Sequence, residues 1–229
     1  MKILGLEKVS LVDYEEKICA TIFTGGCNFF CPFCHNSGIV TSQVEPIEER
    51  EVLEYLSSRK SLLDAVTISG GEPTLQPDLI EFIAKIKQMG FLVKLDTNGT
   101  NPEVLKTLID KKLVDYVAVD VKNNFDDYLL ITGLKQFDFS KVKISLKLLL
   151  ESNIDYELRT TLVKEFITQR NIKKMAEELK GHKILYLQKF VDSDSCIKRN
   201  LNEIPKEEAL KFKKILETKI DKVILRGYN

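Results

Sequence analysis

Residues 65–97, AVTISGGEPTLQPDLIEFIAKIKQMGFLVKLDT, decide how this chain folds. The stretch opens on a short apolar, β-branched run, turns at Gly70-Gly71, and continues into PDLIEFIAKIKQM over 77–89. There the apolar side chains fall at 79, 80, 83 and 86, a stripe down one helix face, and Gly90 stops it. FLVKLDT then reads as a second strand. Strand, helix and strand in so short a span form a parallel βαβ unit, since parallel neighbours need a crossover between them.

The same alternation extends both ways. Upstream, residues 18–24 (ICATIFT) read as a strand after a hairpin within 3–14. Residues 47–60 carry acidic groups early and Arg59 and Lys60 late, as a helix dipole favours. Downstream, Pro102 sits near a helix start. Strands are expected at 115–122, 155–163, 183–190 and 222–227, with helices at 125–133, 140–152, 168–180 and 205–219. No linker, low-complexity tract or charge block interrupts the series, so residues 1–229 are expected to form a single α/β domain. Six or so βα units favour a complete or partial barrel over an open sheet, though spacing alone leaves both open. In either case chemistry collects in loops after the strands. The unusual residues fall there: 25–36, 70–74, 96–99, 120–122 and Arg159.

Composition narrows the classes. The 229 residues, 44% hydrophobic and 30% charged, suit a globular chain with a sizeable core. Lys plus Arg and Asp plus Glu are 34 each, so no global basic field exists to hold a nucleic acid. The N-terminus meets Glu7 before any long apolar run, unlike a signal peptide, and no stretch approaches the ~18 apolar residues of a membrane span. Five cysteines are an odd number clustered unlike a disulfide framework. A reduced, cytoplasmic setting is expected.

Three of those cysteines lie in GGCNFFCPFCHNSG, residues 25–38, spaced C-x3-C-x2-C. On a helix Cys27, Cys31 and Cys34 would share one face with Phe30, but Pro32 and Gly25-Gly26 argue against a helix. Zinc ligands normally come as two spaced pairs, whereas His35 adjoins Cys34, and Cys19 and Cys196 stand apart. An iron–sulfur cube remains. Four thiolates would saturate it; three leave one iron open. An electron carrier, the rival from another class, has no use for that vacancy, and a catalyst does.

C-x3-C-x-aromatic-C after the first strand of a βα series resembles the signature of the radical S-adenosylmethionine (SAM) superfamily. The resemblance implies a partial (β/α)6-type barrel and a [4Fe-4S] cluster on Cys27, Cys31 and Cys34. SAM would chelate the open iron through its methionyl amine and carboxylate, with Phe33 near the adenine. One electron would then yield a 5′-deoxyadenosyl radical. ISGGEPT at 68–74, on its own a Gly-Gly turn into a helix, resembles the superfamily's GGE motif. This implies that Gly70, Gly71 and Glu72 bind the SAM amino group. LDTNGT and VDVKNN resemble segments of glycyl-radical activating enzymes that lie around SAM and a nearby monovalent or divalent cation. By match, Asp96, Thr97, Asn98, Asp120 and Lys122 are candidates. Arg159 is either paired at the surface or holds the SAM carboxylate in its planar fork.

Two further resemblances point to an activase. Cys34-His35-Asn36 is shared with activating enzymes of pyruvate formate-lyase type, and the closing segment from LQKF to VILRGYN is similar to anaerobic ribonucleoside-triphosphate reductase activating proteins. They imply removal of the α-hydrogen from a glycine of a glycyl radical enzyme, with reduced flavodoxin or ferredoxin as electron donor. The anaerobic reductase is the first expected partner and pyruvate formate-lyase or a relative the next. An enzyme acting on a small molecule or tRNA is the rival within the superfamily. The other two cysteines are isolated, which speaks against a second cluster, and Cys19 and His182 are assigned to structure.

Overall fold

The computed structural model describes residues 1–40 and 44–228. In chain order the elements are β1 (Ile3–Ser10), β2 (Cys19–Thr24), α1 (Ser37–Val40), α2 (Glu49–Ser58), β3 (Ala65–Gly70), α3 (Leu79–Gln88), β4 (Leu92–Thr97) and α4 (Pro102–Asp110). There follow β5 (Tyr116–Asp120), α5 (Tyr128–Thr132), α6 (Ser140–Glu151), β6 (Asp155–Leu162), α7 (Gln169–Glu178), β7 (Ile184–Lys189), α8 (Lys206–Leu216) and β8 (Lys222–Arg226). The eight strands stand in one sheet in the order of the chain. This is the α/β class and the strand–helix order expected of a partial (β/α)6-type barrel. By compactness the chain divides into one unit of residues 1–28, 38–118 and 141–155 and a second of 29–37, 119–140 and 156–229.

In the first unit β2, β3 and β4 run parallel, with Cys19 opposite Ala65 and Ala65 opposite Leu92. Alternation gives this sheet two unlike faces. Ala20, Ile22, Val66, Ile68, Val93 and Leu95 are fully buried, as are Phe82, Ile83 and Ile86 of α3 and Leu108 of α4. Pro102 occupies the first turn of α4, where its missing N–H costs nothing. Thr21, Thr67 and Lys94 belong to the other pleat. Lys94 Nζ donates to the Asp13 carbonyl at 2.7 Å and lies 5.1 Å from the Tyr116 ring centre.

One expectation gives way here. No hairpin forms within 3–14; β1 itself pairs antiparallel with β2, with Ser10 opposite Cys19. The sequence offers no Asn-Gly or similar two-residue turn in that span. Instead Ser10 Oγ accepts from the N–H groups of Val12 and Asp13 at 3.3 and 3.2 Å, and a longer connection returns at Cys19.

In the second unit β6, β7 and β8 run parallel, with Leu158 opposite Leu185 and Leu185 opposite Val223. Those residues are fully buried, and α7 and α8 contribute Ile172, Met175, Phe212 and Leu216 to the core. A capping box fixes the start of α7: Thr168 N–H donates to Asn171 Oδ1 at 2.9 Å, and Asn171 N–H donates to Thr168 Oγ1 at 3.3 Å. His182, as expected, is structural: it is buried, and its Nδ1 lies 3.0 Å from the Tyr156 hydroxyl. Cys19 is likewise buried, its thiol donating to the Ser10 carbonyl at 3.6 Å.

Candidate functional site

The loop leaving β3 is built on two residues without side chains. Gly70 has φ +118°, and a Cβ there would stand 2.3 Å from Thr24 N. A Cβ on Gly71 would stand 1.8 Å from the Gly26 carbonyl oxygen. The backbone fills that space: Gly71 N–H donates to Thr24 O at 2.9 Å and Glu72 N–H to Gly26 O at 2.8 Å. The glycines therefore lock this loop onto the start of the cysteine loop, a role that the turn-or-ligand alternatives did not include.

Glu72 is fully buried, and its carboxylate holds two loops together. Oε1 accepts from Thr74 N–H at 3.1 Å, the Thr74 hydroxyl and the Thr97 hydroxyl at 2.7 Å; Oε2 accepts from Asn98 N–H at 2.7 Å. Burial pushes its carboxyl above the usual range, and those donors pull it back. Asn98 Oδ1 accepts from Thr100, while its amide donates to Asn28 Oδ1 at 2.8 Å and reaches to 4.0 Å from Cys27 Sγ. Asp96, at the end of β4, accepts from the Ser69 hydroxyl at 3.1 Å. The first unit thus brings Cys27, Gly70, Gly71, Glu72, Thr97 and Asn98 into one connected set.

The second unit carries Cys31, Phe33, Cys34, Asp120, Lys122 and Arg159. Cys34 N–H donates to the Cys31 carbonyl at 3.0 Å, a tight turn of the kind Pro32 favours. Phe30 N–H donates to Thr132 O at 2.8 Å, and Gly133, with φ +69°, lets the end of α5 approach Phe30. Burial pushes the Cys31 thiol up to about 11, with the Lys122 ammonium pulling it down. Phe33 is buried with its ring centre 6.0 Å from that of Phe166.

Asp120 closes β5 between two cations. Arg159 Nε donates to its Oδ1 at 2.8 Å and Lys122 Nζ to its Oδ2 at 2.9 Å. Burial opposes the charge on Asp120, but the guanidinium and ammonium outweigh it and hold the carboxyl well below the usual range. Arg159 lies inside β6 rather than in a loop after it, and its pairing is internal: its side chain is 13% exposed. Both carboxylate oxygens of Asp120 are engaged by the protein's own cations.

Two contributors were invisible in the sequence. Asn28 donates to Thr100 Oγ1 at 2.8 Å as well as accepting from Asn98, and lies within the cysteine motif at a position with no signature of its own. Cys196, which reads as isolated, is buried 3.9 Å from both ring nitrogens of His35. Ser193 Oγ lies 3.2 Å from His35 Nδ1, and Lys198 N–H donates to the Pro32 carbonyl at 2.7 Å. The segment after β7 is thus tied to the cysteine loop, at a sequence distance no local pattern reports.

All five cysteines are free thiols, which suits thiolate ligation of iron and sulfide. Burial favours the protonated form of Cys31, and the Lys122 ammonium offsets that only in part. Among the described residues no group of three or more His, Cys, Asp or Glu side chains stands ready-made for a single metal ion. No helix among them is long and apolar enough to cross a membrane.

Comparison with known proteins adds four findings. The family model described as Radical SAM superfamily matches residues 21–179. A Methanocaldococcus jannaschii protein with the provisional name glycyl-radical enzyme activating enzyme is 36% identical, over 98% of this chain and 95% of its own length. The pyruvate formate-lyase-activating enzyme of Clostridium pasteurianum is 29% identical over 79% of this chain and 76% of its own. The solved structure of TYW1 with a lysine-pyruvate adduct bound superposes with a TM-score of 0.63, covering 87% of this chain and 73% of that one. At 23% identity, that last likeness shows the fold alone.

Proposed function

The chain belongs to the radical SAM superfamily, and from that premise we propose that it is an activase that installs a glycyl radical on a partner enzyme. The end-to-end similarity to the M. jannaschii protein carries this reading. Cys34-His35-Asn36, directly after the three-cysteine spacing, supports it. Superfamily membership brings a [4Fe-4S] cluster and SAM, which together supply one-electron cleavage of a sulfonium and abstraction of a hydrogen atom.

The chain's own residues have assignable work. Cys27, Cys31 and Cys34 are the cluster ligands. The Asn98 amide is directed toward the Cys27 sulfur, where an N–H group stabilises negative charge. Gly70, Gly71 and Glu72 hold a rigid loop edge for the SAM amino group, and Glu72 does so chiefly by fixing the backbone around it. Asp96, Thr97, Phe33, Asp120, Lys122 and Arg159 complete the proposed SAM surroundings. Arg159 is placed in that set by the match, and its Nε bond to Asp120 fixes the guanidinium. Rigid placement matters because a radical takes whichever hydrogen is held nearest.

The glycine donor is, in this reading, the anaerobic ribonucleoside-triphosphate reductase, with pyruvate formate-lyase or a relative as the second choice. Reduced flavodoxin or ferredoxin supplies the electron. An isotope experiment tests it. With a candidate partner carrying α-deuterated glycine, the 5′-deoxyadenosine produced should contain deuterium by mass spectrometry. Deuterium-free product with every glycyl radical enzyme of the host would turn the reading toward a small-molecule or tRNA substrate.

A further inference from the structure

Asn28 and Thr100 have no part in the chemistry proposed above, yet with Asn98 they close a ring of three hydrogen bonds in the first unit. Asn98 Nδ2 donates to Asn28 Oδ1 at 2.8 Å, Asn28 Nδ2 donates to Thr100 Oγ1 at 2.8 Å, and the Thr100 hydroxyl donates to Asn98 Oδ1 at 2.7 Å. Each member gives one hydrogen and accepts one, so the three bonds polarise one another in a single direction. Thr100 N–H adds a second donor to Asn98 Oδ1 at 3.1 Å. With two donors on that oxygen and an acceptor facing its nitrogen, the Asn98 amide has one orientation. A flipped amide would set oxygen against oxygen and N–H against N–H.

The backbone beneath the ring is held as firmly. Asn98 N–H donates to Glu72 Oε2 at 2.7 Å, and Ser145 Oγ donates to the Gly99 carbonyl at 2.8 Å. Asn98 and Thr100 are both buried, so these bonds are made away from water, where they are stronger. An amide nitrogen carries two N–H groups. The ring takes one, and the nitrogen stands 4.0 Å from Cys27 Sγ, within donor reach of the other. A neutral thiol gains little from such a donor. A thiolate on an iron–sulfur cluster gains more, and most when the cluster is reduced, because one further negative charge is then shared over iron and sulfur. Hydrogen bonds to the sulfurs are among the levers on a cluster's potential.

We infer that the Asn28–Thr100–Asn98 ring is a positioning device: it aims the second Asn98 N–H at Cys27 Sγ, raises the reduction potential of the cluster and so favours uptake of the single electron from the donor. It rests on the proposed function in one respect, that Cys27 is a cluster ligand. Asn98 then has work distinct from contact with SAM, and Asn28 and Thr100 act through Asn98.

The test is a redox titration of the cluster-loaded full chain, without SAM, followed by the EPR signal of the reduced cluster. Asn98→Leu keeps the size of the side chain and removes both N–H groups. Its cluster should be harder to reduce: the equilibrium constant should fall about fivefold, a drop of about 41 mV for one electron. Thr100→Val loosens the ring without touching Asn98 itself and should lower the potential by part of that amount. Thr100→Ser keeps the hydroxyl and should keep the native value. In the Asn98→Leu/Thr100→Val double variant the drop should equal that of Asn98→Leu alone, because both act through one N–H group. If Asn98→Leu does not take up the cluster, the Thr100→Val and Thr100→Ser pair carries the test. A solely structural ring would move the urea midpoint of these variants and leave the potential alone, and that result overturns the inference. A raised potential in Asn98→Leu, or additive drops in the double variant, overturns it as well. Iron and sulfide content in Cys27→Ala judges the premise separately. A full cluster there refutes the ligand, whereas its loss beside an unmoved potential in Asn98→Leu refutes the ring alone.

Discussion

Single residues carry the sharpest consequences. Gly71→Val would drive a side chain into the Gly26 carbonyl, since even a Cβ would come within 1.8 Å of it. The expected result is a loss of at least about 2 kcal/mol in urea denaturation, the scale of a steric or backbone conflict in a core. Unchanged stability with lost SAM affinity would show that the glycine serves the ligand alone. The cysteines divide differently: Cys27→Ala, Cys31→Ala or Cys34→Ala should each abolish the reconstituted cluster, while Cys196→Ala should keep full iron and sulfide content. Full iron in Cys31→Ala, or its loss in Cys196→Ala, would contradict the ligand set. The three cysteines proposed as ligands stand out in the sequence because their spacing is local. Glu72 was legible as a motif member but not as a brace, because its partners Thr97 and Asn98 lie on the next strand's loop. Arg159 was ambiguous for the same reason: nothing in its own strand announces Asp120 as its neighbour.

Secondary-structure elements were the most readable part of the chain. Helical stripes of period 3.6 and short β-branched runs punctuated by Gly and Pro located the strands and helices after β1, the short α1 excepted, to within a few residues. The N-terminal hairpin was misplaced because the connection from Ser10 to Cys19 lacks the residues that mark a short turn. The turn between α7 and β7 supplies a pH test. Burial holds His182 neutral and lowers its pKa from 6.5 to about 4. Its folded pKa is thus depressed below the unfolded value. The associated stability is present above about pH 6.5 and lost progressively as pH falls toward about 4, because the unfolded chain takes the proton first. Between pH 7 and pH 5 the protein should lose about 2 kcal/mol through this residue. Urea titrations at the two pH values should show that loss, and His182→Gln should remove most of it. A native-sized pH dependence in the variant would place the effect elsewhere.

Across the whole molecule, chain-order strands and membership of the radical SAM superfamily mark an enzyme, and the three-cysteine loop carries the proposal that SAM takes the ligand position left open by the missing fourth cysteine. The partner was not legible in the same way, because recognition of another protein is written on surfaces that residues far apart in sequence assemble together. The central claim is that this chain transfers radical character to a glycine of another protein. Its most direct measurement is an EPR spectrum of the reduced, cluster-loaded enzyme incubated anaerobically with SAM and the anaerobic ribonucleotide reductase of its host. The account predicts a doublet from a glycyl radical, absent when the partner's radical-loop glycine is replaced by alanine. Formation of 5′-deoxyadenosine with no such doublet, for this reductase and for every other glycyl radical enzyme the host encodes, would contradict it.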